Sequence, residues 1–170
     1  MQYGICVASR PGDIDYVVEA ERLGFTHAWL ADSQMIWSDV YAMLALAADR
    51  TSTIQLGTGV AVAGTRLAPV TAAAIGTINQ LAPGRTFCGI GTGNTAMRIM
   101  GHRPQRIAEF DEYLSVLRSL LHGEEVAMGT LAQLMLEGDV AEARRVAEFF
   151  AAVGLPVHLR QIALDAGQHA

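Results

Sequence analysis

Residues 52–91, STIQLGTGVAVAGTRLAPVTAAAIGTINQLAPGRTFCGIG, contain one full period of the pattern that decides the fold. The apolar run STIQLGTGVAV (52–62) reads as a strand. The segment APVTAAAIGTINQLA that follows it reads as a helix, with Pro69 near its start, where the missing N–H costs nothing. RTFCGIG (85–91) is a second short apolar run. Strand, helix and strand on short connections predict parallel pairing through a right-handed crossover.

The same period extends towards the N-terminus. YGICVA (3–8) and THAWLA (26–31) are short apolar runs consistent with buried strands. Between them, DIDYVVEAERLG places Ile14, Val17, Val18 and Leu23 roughly on one helical face, with Gly24 as the stop. SDVYAMLALAADR is a helix capped by Ser38 or Asp39. Past the fourth strand, TGNTAMRIMGHR reads as a loop. PQRIAEFDEYLSVLRSLL then presents Ile107, Phe110, Leu114, Leu117 and Leu121 at helical spacing. Four βα units in a row predict an α/β fold with a parallel sheet.

Beyond His122 the alternation stops. VAMGTLAQLMLEG and DVAEARRVAEFFAAVG read as successive helices, the second with Asp139 as cap and Glu142 completing a capping-box-like pair. LPVHLRQIAL is a last short helix or turn. The expected organisation is therefore a βα region at 1–121 and a helical extension at 122–170.

Composition narrows the function. The chain has 170 residues, 51% of them hydrophobic, and a net charge of −5. This predicts a globular protein with a sizeable core and gives no support for nucleic-acid binding, which calls for a basic patch. No apolar run reaches the roughly 18 residues of a membrane helix, and MQYGICVASRPGD lacks the regions of a signal peptide, so a cytoplasmic location is expected. Cys6 and Cys88 sit in apolar runs and read as buried thiols rather than a disulfide. All 12 basic residues are arginine. Without lysine, neither a P-loop nor Schiff-base chemistry is available.

Binding groups in βα folds gather where strands end. After the second strand come Asp32, Ser33, Gln34 and Trp37; after the third, GTGVAVAGTR; after the fourth, GIGTGNTAMR. Glycine lets backbone approach a ligand, although a tight turn explains it equally well. GIGTGN lies at the fourth strand with no acidic residue at the expected later strand end, so a dinucleotide site is rejected. Asp32 is either a general acid/base or a cap for the following turn, the cap being favoured. Trp37 is either a ring platform or packing. Arg66 and Arg98 could hold an anion, but solvated arginine is the commoner fate. The five histidines form no ligand-spaced pair, which argues against a metal site.

AERLGFTHAWLADSQ, DRTSTIQLGTGVAV, TRLAPVTAAAIGTINQLAPGR, GIGTGNTAMRIMG and RIAEFDEYLSVLRSLLHGEEV together resemble the bacterial-luciferase-like flavin and deazaflavin oxidoreductases, over residues 1 to about 125. The branch they are most similar to is the deazaflavin-dependent one of methylene-tetrahydromethanopterin reductases. The resemblance implies four βα units of a TIM-type barrel, a half-barrel where a whole one needs roughly 250 residues. It implies a deazaflavin or FMN at the strand ends and a small-molecule substrate. Asp32 matches the family's polar residue after strand two, with an implied catalytic role. Gly59 and Val60 match a bulge where a non-prolyl cis peptide often backs the cofactor ring. Thr92, Gly93 and Asn94 match the loop lining the pocket. LAPGR replaces the usual serine-glycine-glycine-arginine turn.

The tail has a resemblance of its own. HGEEVAMGTLAQLMLEG with VAEFFAAVGLPVHLRQIAL is similar to the helical domain of glycerol dehydrogenase, over about 122–167. In that family the HGE histidine, here His122, ligates a metal, but its partner ligands have no counterpart here, so no metal is expected. The segment LRSLLHGEEVAMGTLAQLMLEG (117–138) would then be a seam between two fragments. An open four-stranded half favours completion by a homodimer or higher homo-oligomer. The alternative expectation is a non-catalytic folded fusion or assembly module without cofactor binding.

Overall fold

The computed structural model describes residues 1–121 and 140–152. Met1–Leu114 forms one compact unit, and the residues from Ser115 onward belong to a second. In the first unit the strands are β1 Gly4–Val7, β2 His27–Leu30, β3 Gln55–Val62 and β4 Thr86–Gly91. The helices are α1 Ile14–Arg22, α2 Val40–Arg50, α3 Ala68–Leu81, the short α4 Asn94–Ile99, and the start of α5, Ile107–Leu121. One further described helix, α6, spans Val140–Ala152.

All strand pairs are parallel and the order is β1-β2-β3-β4. Neighbours in sequence are thus neighbours in space, as consecutive βα units require. Strand side chains alternate between faces. The row Val7, Leu30 and Thr58 points to one face, where Val7 and Leu30 join Ile14, Val17, Leu44, Ile54 and Ile78 in a single buried core.

The row Cys6, Trp29, Gly57 and Phe87 lies on the other face. Large and small residues alternate along it. The Trp29 and Phe87 rings meet edge-on at 5.6 Å, while His27 stacks on Trp29 at 5.6 Å. Gly57 makes this possible, because a Cβ there would run into the Phe87 ring.

The helix ends follow local chemistry. Asp39 caps α2, its carboxylate accepting the Tyr41 and Ala42 N–H groups at 3.0 Å each. Gly24 ends the α1 turn at φ +85°, a conformation that suits glycine. Arg85 donates to the carbonyls of Ile54 (2.9 Å) and Thr51 (3.0 Å), joining the end of α2 to the foot of β3.

Four sequence expectations need correction. Residues 94–99 are helical rather than loop, because Ala96 and Met97 bury against Val62. On α1, Leu23 is 61% exposed and Ala20 takes its place in the core. On α5, Ile107 is 77% exposed, whereas Tyr113 is buried and hydrogen-bonded to Thr71 at 2.6 Å. Cys6 is an exposed free thiol rather than a buried one, since its strand position points away from the helix-covered core; Cys88 is free and half-buried. The helix expected over VAMGTLAQLMLEG, the Asp139 cap and LPVHLRQIAL lie outside the described residues. Among the described residues no helix is long and apolar enough to cross a membrane.

Candidate functional site

The carboxyl ends of β2, β3 and β4 bring most of the expected residues to one edge of the sheet. Asp32 stands two residues past the end of β2, with its side chain only 2% exposed. One oxygen accepts the Gln34 amide at 2.7 Å. The other accepts the Val62 N–H at 3.1 Å and an Arg66 nitrogen at 2.7 Å. No backbone N–H of the turn following Asp32 is bonded to it; those of Ile36 and Trp37 go to the Ser33 carbonyl. Asp32 therefore does not cap its own turn, and it ties the β2 loop to the end of β3 instead.

Arg66 is not a solvated arginine. Its second terminal nitrogen reaches Asp39 at 2.9 Å, and its guanidinium lies 4.8 Å from the Tyr41 ring centre. Burial works against the charge, but the two carboxylates outweigh it and leave the pKa above the ordinary arginine value. Asp39 shows the mirror effect. Partial burial would raise its carboxyl, yet the Ala42 and Tyr41 N–H groups and Arg66 hold it below the usual range. Burial pushes the Tyr41 phenol well up, with the Cys88 thiol nearby adding to the effect.

Gly59 and Val60 fall within β3, and the peptide bond between them is cis. Pairing with β4 shifts between Thr58 and Ala61, which forms the expected bulge. It leaves Val60 50% exposed within an otherwise mostly buried strand end. On the neighbouring strand Gly89 and Gly91 present no side chains. A Cβ on Gly91 would come within 3.3 Å of the Val60 side chain, and one on Gly89 within 2.5 Å of the Thr58 carbonyl. Val60 thus stands as an apolar platform beside a strip of bare backbone.

Thr92 and Gly93 continue from β4 and are half-buried. The Thr92 carbonyl accepts the Gln105 N–H at 3.1 Å, and Gly93 turns at φ +80° into α4. Asn94 is exposed and accepts from Arg98 on its own helix at 2.7 Å. Arg98 is thereby engaged with Asn94. Trp37 is half-buried with the Arg10 guanidinium 4.8 Å from its ring centre. Among the described residues no group of His, Cys, Asp and Glu is placed to hold a metal; His122, His158 and His169 lie outside them.

Sequence reasoning missed Gln34 as a partner of Asp32, and Arg66 as the link between Asp32 and Asp39. Arg66 and Asp32 are 34 positions apart, so no local pattern announces the pair. The available signal was that two acids and one arginine all fall near strand ends of adjacent βα units.

Residues 10–160 match the luciferase-like monooxygenase family, and the chain belongs to that family. The match runs through the point where the seam was expected. Over 148 residues the chain is 32% identical to a 5,10-methylenetetrahydromethanopterin reductase of Methanolobus tindarius, covering 85% of this chain and 42% of the relative. It is 37% identical to an F420-dependent glucose-6-phosphate dehydrogenase of Intrasporangium calvum, over 62% of this chain and 34% of that one. The coenzyme F420 dependent tetrahydromethanopterin reductase of Methanopyrus kandleri superposes with a TM-score of 0.61 at 27% identity, covering 69% of this chain and 39% of that structure. The oxygenating constituent of a Pseudomonas putida diketocamphane monooxygenase, solved with FMN, shares the fold at a TM-score of 0.56 and 24% identity. The chain spans about two fifths or less of the length of these relatives.

Proposed function

We propose that this chain carries the ring-binding half of a luciferase-like oxidoreductase and takes a deazaflavin or FMN at the ends of β2, β3 and β4. The observation that supports this best is the exposed Val60 platform, flanked by Gly89 and Gly91 and followed by Thr92, Gly93 and Asn94. A flat ring suits a surface with one apolar side chain and no neighbouring Cβ atoms in the way. Thr92 and Asn94 offer polar groups at its rim, and Gly59 keeps the backbone beneath it free of a side chain. A bound deazaflavin or flavin would supply the hydride or oxygen chemistry on a small-molecule substrate.

Asp32 is assigned the catalytic support of this site. Both of its carboxylate oxygens are bonded, by Gln34, Val62 and Arg66, so its contribution is to fix the backbone behind Val60. Residues 1–121 act as the half-barrel and 122–170 as an extension, of which about 122–167 resembles the helical domain of glycerol dehydrogenase in sequence. The chain works in the cytoplasm as a homodimer or higher homo-oligomer, a reading supported by the lack of a strand partner outside β1 and outside β4 among the described residues.

Calorimetric titration with FMN and with the deazaflavin, each oxidised and reduced, tests the proposal. Binding with a Kd below about 10 μM, roughly −7 kcal/mol, is expected for at least one of them. Loss of that binding in Asn94→Ala and Val60→Asp would locate it at the strand ends. Absence of binding at hundreds of micromolar would leave the non-catalytic assembly module as the better account.

A further inference from the structure

We infer that Arg66 is a positioning residue, which holds the β2 loop, the end of β3 and the start of α2 together as one frame behind the Val60 platform. The inference rests on the ring-site reading above and goes beyond it by assigning a residue outside the group that flanks Val60.

The geometry is specific. One terminal nitrogen of Arg66 bonds Asp32 at 2.7 Å, and the other bonds Asp39 at 2.9 Å. The Asp32 oxygen that meets Arg66 also takes the Val62 N–H at 3.1 Å, so the guanidinium acts on the β3 backbone through a single carboxylate. Val62 lies two residues beyond Val60, just past the Thr58–Ala61 shift in pairing. The β2–β3 ladder ends at Leu30–Thr58, so on that side Val62 has no strand partner, and its N–H is held by the Asp32 carboxylate instead, just beyond the bulge. At its other end the guanidinium meets Asp39, the cap of α2, and covers the Tyr41 ring on the same helix.

This wiring needs arginine. A planar fork can reach two carboxylates and lie over an aromatic ring at once, whereas a lysine ammonium is a single compact charge. With Arg66 removed, Asp32 is left as a buried charge without its cation, and a carboxylate in that state pulls towards water. The Val62 N–H then loses a fixed acceptor, and Val60 its fixed height above β4.

The test compares the whole chain with Arg66→Gln and Arg66→Lys by native-state hydrogen exchange, urea unfolding and cofactor titration. Exchange of the Val62 amide should become at least tenfold faster in Arg66→Gln relative to the amides of α1. Affinity for whichever ring the parent binds should fall at least tenfold, with Arg66→Lys recovering part of both losses. If Val62 exchange changes only in step with global stability, or affinity is unaffected, Arg66 is ordinary structure and the inference fails. If the parent chain binds neither ring, the ring-site reading is what fails; hydrogen exchange at Val62 then still decides whether Arg66 positions the β3 end. Should Arg66→Gln not fold, the Arg66→Lys comparison decides on the same criterion.

Discussion

The carboxylate of Glu21, at the end of α1, accepts the N–H groups of Thr53 at 2.6 Å and Ile54 at 2.9 Å, more than thirty positions away on the approach to β3. Ser52 N–H joins them at 2.9 Å. One acidic side chain thus satisfies three consecutive backbone donors where the chain enters the sheet. Burial alone would raise the Glu21 carboxyl, but these donors outweigh it and hold its pKa below the ordinary 4.5. A lowered folded-state value means the stabilisation is fully present above about pH 4.5 and disappears as pH falls through that lower value. Glu21→Ala should cost about 1–2 kcal/mol at neutral pH, a partly exposed site taking the lower part of the range for charged hydrogen bonds. Urea unfolding should show the parent and the variant converging in stability as pH is lowered from 5 towards 3. Equal stabilities at pH 7 would rule the role out.

Much of this frame was legible in the sequence because βα units announce themselves locally. The strands at 3–8, 26–31, 52–62 and 85–91, the three helices between them and the Asp39 cap all rest on apolar periodicity and short-range chemistry, which act within a few residues. The exceptions are equally physical. Asn94–Ile99 is too short for a periodic signal, and its helix forms because Ala96 and Met97 bury against Val62. Ile107 kept the helical spacing yet faces solvent, while Tyr113 is inside because Thr71 takes its hydroxyl. The strand-end loops were found by position, and the cis Gly59–Val60 bond stands where the family resemblance put it. What stayed hidden was the partner of each polar group. Asp32 reads as a turn cap until Val62 and Arg66 are seen around it.

Asp39 serves both as a helix cap and as an Arg66 partner, and two substitutions separate these roles. Asparagine is as good an N-cap as aspartate, so Asp39→Asn keeps the α2 start and loses only the ion pair. Asp39→Ala loses both. The expected penalties are a few tenths of a kcal/mol for Asn, since Asp39 is an exposed partner, and about 1–2 kcal/mol for Ala. Thermal unfolding of both variants checks the order. Equal penalties would mean that the cap contributes nothing.

Thr71 and Tyr113 link α3 to α5 by a buried 2.6 Å hydroxyl pair, and burial raises the tyrosine pKa. Tyr113→Phe leaves the Thr71 hydroxyl without this partner and should cost about 1–2 kcal/mol, as should Thr71→Val. Because each single change strands the other group, the double variant should be less damaging than the two losses added together. A double-mutant cycle on denaturant midpoints with strictly additive losses would show that the pair is not coupled.

Gly89 offers the sharpest steric test of the proposed platform. A Cβ at this position would lie 2.5 Å from the Thr58 carbonyl oxygen, a backbone atom that cannot rotate away, and 3.5 Å from a Val60 methyl carbon. Thr58 is also anchored to this site, its hydroxyl donating to the Gly89 carbonyl at 2.6 Å. Gly89→Ala must therefore push β3 and β4 apart at the bulge, at a cost of about 1–3 kcal/mol as for other overpacked interiors. On α3, a Cβ added at Gly76 would meet nothing within 4 Å, and Gly76→Ala should be neutral or stabilising by up to about 1 kcal/mol through helix propensity. Measured side by side in urea, Gly89→Ala should lower the midpoint, whereas Gly76→Ala should leave it in place or raise it. If Gly89→Ala leaves the midpoint where it was, the close approach of β3 and β4 beneath Val60 is not a constraint on the fold, and the platform loses its structural basis.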